Sequence, residues 1–274
     1  MRHIDLFCGI GSFSIAFREL GWDCVLACDI CPEARETYRR NFGMEPMGDI
    51  RDIHETPSAD IITAGFPCQA FSYAGKRRGF DDERGDMFAE IMRFVRGSTP
   101  RFVILENVPG LLTHDEGRSF LRVRRDLEAE GYTVKHQVLL CSDYGIPQMR
   151  RRLIVTACLS GSDAINLDMT RTRAPDLGNF LQQPLTKGVA YTVRCGGRRS
   201  PVDSRHNWDG YYTKSGGVYR LTVRDAHQLQ GIPDDFVLVG NKTSQWKMLG
   251  NTIPTPFTRA VGAGILECLR ATTQ

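Results

Sequence analysis

DLFCGIGSF, residues 5–13, reads as the end of a strand, a glycine-bearing turn and the first residues of a helix. Such a turn lets a ligand approach the backbone closely, and the helix N-terminus behind it favours an anionic group. The spacing is Phe-x-Gly-x-Gly and not the full G-x-G-x-x-G, so a tight turn with no ligand stays open at this point. Outward from the turn, the apolar runs HIDLF (3–7), CVLAC (24–28), DIITAG (60–65), FVILEN (102–107) and RLIVTAC (152–158) predict buried parallel strands. The stretches 12–20, 32–42, 87–96 and 117–130 between them predict helices. Strand and helix alternating over this length predict an α/β sheet with helices on both faces.

The chain has 274 residues, enough for one large domain or one domain carrying a small insert. Apolar residues make up 41% and charged residues 24%, which excludes collagen-like, disordered and disulfide-scaffold classes. No apolar run approaches the ~20 residues of a membrane span, and MRHIDLFCGIG has no signal-peptide core, so the expectation is a soluble, cytoplasmic protein. Nine scattered cysteines suit free thiols in a reducing compartment. Residues 161–220 break the alternation: they are poor in Leu and Ile runs and rich in Gly, Ser, Thr, Arg and aromatics. Helical patterns resume at 222–230, 243–249 and 256–270. The expected organisation is an α/β core over 1–160, a small irregular or β-rich region over 161–220, and a return to the core over 221–274.

Several segments carry chemistry. Asp29 ends the second apolar run 20 residues after Gly9, a position suited to ribose hydroxyls, and Asp49 stands in MGDI; either acid could equally be a cap or loop carboxylate. In AGFPCQAFSYAGKRRGFDDERGDMF (64–88) a strand ends at Gly65, and Pro67-Cys68-Gln69 opens a loop dense in Gly, Arg and Lys. A thiol at the carboxyl end of a parallel strand lies where open α/β sheets bind ligands, and basic neighbours favour its thiolate. A small buried hydrophobe is the alternative for such a Cys. Glu106 ends the next strand, where burial would raise its pKa and fit it for proton donation. Gln148, Arg150 and Arg152 alternate at the start of the following strand and so share a face, from which planar donors could hold a phosphate or a carbonyl. Cys24, Cys28 and Cys31 make only half of a zinc site, and no metal is expected.

The ordered set DLFCGIG, GFPCQAFS, ENV, DYGIPQMRRR, RLTVRDAHQLQGIP and GNTIPTPF resembles the motif series of the C5-cytosine-specific DNA methyltransferases. It runs in that family's order over nearly the whole chain, from residue 3 to about 265, with an Arg-rich variable stretch between the fourth and fifth motifs. The resemblance implies a Rossmann-like methyltransferase core with a small target recognition domain, S-adenosylmethionine as methyl donor and double-stranded DNA as partner, in a chain acting as a monomer. It implies Cys68 as nucleophile, Glu106 at the N3 edge of cytosine, and Arg150 and Arg152 supporting a flipped nucleotide. Phe7, Gly9, Ile10, Gly11, Asp29, Ile30, Asp49, Ile50, Pro67, Asn251 and Thr252 fall on cofactor-pocket positions. The chain departs from the pattern at Ser12, where many relatives have Gly, at Asp29, where Glu is frequent, and at Ile30, where an aromatic often stands.

Thiolate addition at C6 of cytosine would make C5 nucleophilic toward the methyl group. The base must first leave the duplex, at a cost of a few kcal/mol. Loop 72–86 is the candidate to close over it, and Gln69, Ser72, Lys76, Arg77, Arg78 and Arg84 would meet DNA. Residues 186–220 hold seven basic and two acidic side chains, net +5 in a chain of net +3, so this segment supplies the basic face. Arg194, Arg198 and Arg199 flank its Gly196-Gly197 pair and are the candidates for reading bases. Alternatives are an RNA cytosine methyltransferase on the same scaffold, a catalytically silent DNA-binding module, and a nicotinamide-dependent dehydrogenase.

Overall fold

The computed structural model describes residues 1–67, 87–159 and 165–271. Cys68, Gln69, Ser72, Lys76, Arg77, Arg78 and Arg84 lie outside the described residues. Six strands form one sheet: β1 (Arg2–Leu6), β2 (Asp23–Cys28), β3 (Ile61–Ala64), β4 (Phe102–Asn107), β5 (Tyr132–Leu140) and β6 (Arg151–Leu159), in the order β2-β1-β3-β4-β6-β5. The first four are parallel, as their apolar runs predict. β6 is not: it runs antiparallel to both β4 and β5. The short segment 141–150 between β5 and β6 explains the reversal, because neighbouring antiparallel strands need no helical crossover. β5 itself escapes a search for apolar runs. It lies at the sheet edge with Thr133, Lys135 and His136 exposed, so its sequence reads as half polar.

The strands present alternate residues to two apolar layers. Ile62, Val103, Leu105, Leu153 and Val155 pack with Phe88 and Ile91 of α3 (Met87–Ser98) and with Phe120 and Val123 of α4 (Arg118–Ala129). Ile61, Phe102, Ile104 and Ile154 pack on the other face with Phe13 and Phe17 of α1 (Ser12–Glu19) and with Phe257 and Val261 of α8 (Thr255–Ala271). α2 (Pro32–Phe42) follows β2. Between residues 165 and 222 regular structure is sparse: α5 (Leu177–Leu181), then β7 (Gly210–Tyr212) paired antiparallel with β8 (Val218–Arg220). α6 (Val223–Leu229) and α7 (Lys242–Asn251) then lead back to α8. Leu177, Trp208 and Tyr211 of the sparse region belong to the same apolar cluster as Phe257 and Phe17. Among the described residues no helix is long and apolar enough to cross a membrane.

One polar network lies inside this core, directly beneath the glycine turn. Asp5 is buried, and its carboxylate accepts hydrogen bonds from Ser14 Oγ and Thr63 Oγ1, both at 2.9 Å, tying β1 to α1 and β3. Tyr38 Oη lies 2.7 Å from Ser14 Oγ and brings α2 into the same network. Burial pushes the Asp5 carboxyl up to about 7 despite the two hydroxyl donors. Below the unfolded-state pKa of ~3.9 its contribution to stability is fully present, and it is lost as pH rises through about 7. Asp5→Asn removes that dependence. Relative to the parent, the variant should gain unfolding free energy as pH rises from about 4 to about 7, and the difference should hold constant above. Urea melts across this range measure it, and a flat difference would show that Asp5 keeps its charge throughout.

Candidate active site

The glycine turn crosses from β1 to α1 with three consecutive odd positions in the left-handed region: Phe7 at φ 54°, Gly9 at φ 54° and Gly11 at φ 91°. The two glycines serve different ends. A Cβ on Gly11 would lie 2.5 Å from Phe42 Cε2 and 2.8 Å from Tyr38 Cε2, so α2 packs directly onto the turn there. A Cβ on Gly9 would meet nothing within 4 Å, so the turn opens at this point onto space a ligand can enter. Asp29 fixes the turn from β2: its carboxylate accepts from Gly9 N and from Cys31 N, each at 2.8 Å. These two bonds leave lone pairs on both oxygens for hydroxyl donors.

The other expected cofactor residues divide into two groups. Ile30 is 73% exposed beside Asp29, a free apolar side chain at the mouth of the turn. Ile10 and Ile50 are buried in the two opposite apolar layers, so they shape the region from below. Asp49 caps the 3-10 turn Ile50–Asp52 and forms an ion pair with Arg51 at 2.5 Å, which holds its carboxyl below the usual range. The C-terminal motif comes to the same place. Ser12 Oγ donates to Ile253 O, and Thr258 Oγ1 donates to Ser12 O at 2.9 Å, so the first turn of α1 holds the Asn251–Thr252–Ile253 segment. Ser12 thus uses its hydroxyl where a glycine would leave that carbonyl without this partner.

Glu106 stands at the carboxyl end of β4, 8% exposed. Arg152 Nε lies 2.7 Å from its Oε1. Burial nevertheless lifts the Glu106 carboxyl above its ordinary range; Arg152 and then Arg150 pull the other way without cancelling it. The chain toward Cys68 passes directly over this acid. A Cβ on Gly65 would lie 3.5 Å from Glu106 Oε2 and 3.3 Å from Ile253 Cδ1, so the β3 exit runs in close contact with both. Asn107 Nδ2 donates to Phe66 O at 3.2 Å and fixes the next residue of that exit. Pro67 follows, exposed, as the last described residue before Cys68.

Arg150 and Arg152 do not share a strand face as their spacing predicts, because β6 begins only at Arg151. Arg152 turns to Glu106. Arg150, expected beside a nucleotide, is buried, and its guanidinium is committed to backbone: Nη1 donates to Val193 O at 2.9 Å, and Nη2 to Gly250 O at 2.9 Å and Thr252 O at 2.8 Å. Any support it gives a substrate passes through those three segments. Gln148 works alongside it, donating to Leu229 O and accepting from Val193 N. Together they anchor the start of the basic segment to the catalytic edge.

In that segment Arg194, Arg198 and Arg199 are all exposed. The residues the sequence does not single out are those beneath them. Asp209, 3% exposed, accepts the Arg199 N–H and pairs with Arg220 at 3.0 Å. Its signal was an acid in an otherwise basic stretch. Cys195 donates its thiol to Asn251 Oδ1 at 2.9 Å, a contact with no signal in the sequence.

The arrangement therefore combines an open turn, a buried acid of raised pKa, a cationic partner and a strand exit carrying a thiol three residues past Gly65. A family model described as C-5 cytosine-specific DNA methylase matches residues 1–183 and 180–267. The chain is 33% identical to the type II methyltransferase M.MspI of a Moraxella species, over 100% of this chain and 72% of that protein. It is 33% identical to the type II methyltransferase M.HaeII of Haemophilus aegyptius, over 100% of this chain and 95% of that protein. Among solved structures, the S. pombe Dnmt2 methyltransferase is similar in fold, with a TM-score of 0.78 at 18% identity over 98% of this chain and 99% of that one.

The Arg150 anchor has a measurable consequence. Arg150→Met keeps most of the side-chain volume and leaves three carbonyls without their donor, at ~1–3 kcal/mol for each group left unsatisfied. The expected loss of stability is about 3 kcal/mol or more, read as a lower urea midpoint. An unchanged midpoint would mean that those carbonyls find other donors.

Proposed function

The chain belongs to the C-5 cytosine-specific DNA methylase family and is a DNA cytosine-C5 methyltransferase; on that premise we propose how its own residues divide the work. Cys68 is the nucleophile. Its thiolate forms a bond to C6 of a cytosine lifted out of double-stranded DNA, which makes C5 nucleophilic. Glu106 holds a proton at N3 while negative charge develops on the ring, and Arg152 keeps that carboxyl in place. C5 takes the methyl group, a water molecule accepts the C5 proton while its electron pair re-forms the C5–C6 double bond, and the C6–S bond breaks to release 5-methylcytosine and the thiolate. S-adenosylmethionine, bound at the glycine turn, supplies the methyl group as an electrophile. The open space over Gly9, the free apolar face of Ile30 and the remaining lone pairs of Asp29 fit such a molecule. Phe7, Gly11, Asp49, Pro67, Asn251 and Thr252 complete that pocket, with Ile10 and Ile50 behind it.

The observation that carries this division is the place of Glu106. A carboxyl whose pKa is raised by burial holds a proton more readily and can give a hydrogen bond to N3, and the exit toward Cys68 crosses it at Gly65. The exposed arginines at 194–199 meet the DNA, as do Gln69, Ser72, Lys76, Arg77 and Arg84. The chain works as a monomer in the compartment that holds the genome, in a restriction-modification pair or as a solitary modification enzyme.

Bisulfite sequencing of DNA from cells expressing the protein tests activity and target together; methylation of RNA with none in DNA would overturn the proposal. Cys68→Ser should abolish methyl transfer and keep cofactor and DNA binding. DNA carrying 5-fluorocytosine should trap the parent enzyme covalently, and an active preparation that forms no such adduct would exclude Cys68 as nucleophile. Glu106→Gln should lower kcat by about a hundredfold or more, the usual range for a positioned proton donor, with little change in KM for the cofactor. A raised KM at unchanged kcat would assign Glu106 to the cofactor instead.

A further inference from the structure

Resting on the DNA methyltransferase reading above, we propose that Arg199 reads a guanine in the major groove next to the target cytosine, while Arg198 braces the loop that presents it. The loop hangs from the catalytic edge. Arg150 holds Val193 O, the Cys195 thiol bonds Asn251, and a Cβ on Gly250 would lie 2.4 Å from Cys195 N. Arg199 is four residues further on, at most ~14 Å of extended chain. Bases in one strand rise ~3.4 Å each, so that length spans about four base steps.

The loop is rigid. Trp208, fully buried, donates Nε1–H to Gly196 O at 2.8 Å. Asp209 accepts the Arg199 N–H on both oxygens at 3.1 Å, and Arg220, its ion-pair partner, donates to Ser200 O at 2.8 Å. On this support Arg199 is held at φ 66°, in the left-handed region. Glycine occupies that region without steric cost, so a long side chain there brings strain and no return to the backbone. Its guanidinium makes no hydrogen bond or ion pair with any described residue. A strained backbone carrying an exposed, unengaged guanidinium points to a contact outside the chain. A phosphate needs only a nearby cation, whereas the O6 and N7 edge of guanine needs a fork aimed from a fixed backbone. Arg198 is placed differently. Its guanidinium stacks 4.8 Å from the Trp246 ring centre, and Trp246 meets Trp208 edge-on at 5.5 Å.

The test is bisulfite sequencing of genomic DNA from cells expressing the parent, R199G or R198A, with urea melts of each protein. R199G should be as stable as the parent. It should methylate the parent's target with one base pair degenerate, discrimination there falling about tenfold or more. R198A should lower methylation evenly across the unchanged target. If glycine loosens the loop, R199N repeats the test, since asparagine tolerates the left-handed backbone. An R199G protein that keeps the parent's target, whether at full rate or with an even loss and a shallower salt dependence, overturns the assignment. A parent that leaves no 5-methylcytosine in DNA would instead overturn the functional reading beneath it.

Discussion

One buried guanidinium holds together segments that the chain order keeps far apart. Arg150 reaches carbonyls 43, 100 and 102 residues away, at Val193, Gly250 and Thr252. Arginine suits this place because its planar fork offers several donors in fixed directions and keeps its charge in an environment that would neutralise lysine. Burial and then the nearby Arg152 work against that charge and bring the guanidinium down to about 9, while the three carbonyl dipoles face it directly. The start of the basic loop, the end of α7 and the segment reaching the glycine turn all meet at one side chain.

The acid and base chemistry follows from the same burial. In water Glu106 would be ionised at neutral pH and useless as a donor. At the end of β4, with Gly65 and Ile253 closing over it, the charged form loses solvation faster than Arg152 can restore it. The carboxyl thereby holds a proton more readily than it would in water and is still oriented by a cation. Asp5 repeats the logic two strands away, where hydroxyls of Ser14 and Thr63 replace the arginine and the role is to tie strand to helix.

The sequence made the α/β core legible because its four parallel strands are buried on both faces and so read as apolar runs. It failed at β5, where exposed Lys135 and His136 interrupt the run, and with it failed the direction of β6. The glycine turn, Glu106 and Arg152 were legible as residues at strand ends. The use of Arg150 was not, because alternation along a strand predicts a shared face only where a strand exists, and none does before Arg151. Ser12 shows the same limit from the other side. As a replacement for glycine it looks like a loss to the pocket, yet its hydroxyl bonds a carbonyl 241 residues away, a contact that no local pattern encodes.

The smallness of the region over 165–220 has a physical solution in the core. Fewer than 60 residues with one short helix and one two-stranded ladder bury too little surface to stand alone. Trp208 and Tyr211 instead enter the apolar cluster that holds Phe257 and Phe17, and Trp246 of α7 packs against Trp208. A region built this way shares its apolar core with the helices behind the sheet. Displacing it would open the core, so on the proposed reading the spacing between the base that is read and the base that is modified is set by packing.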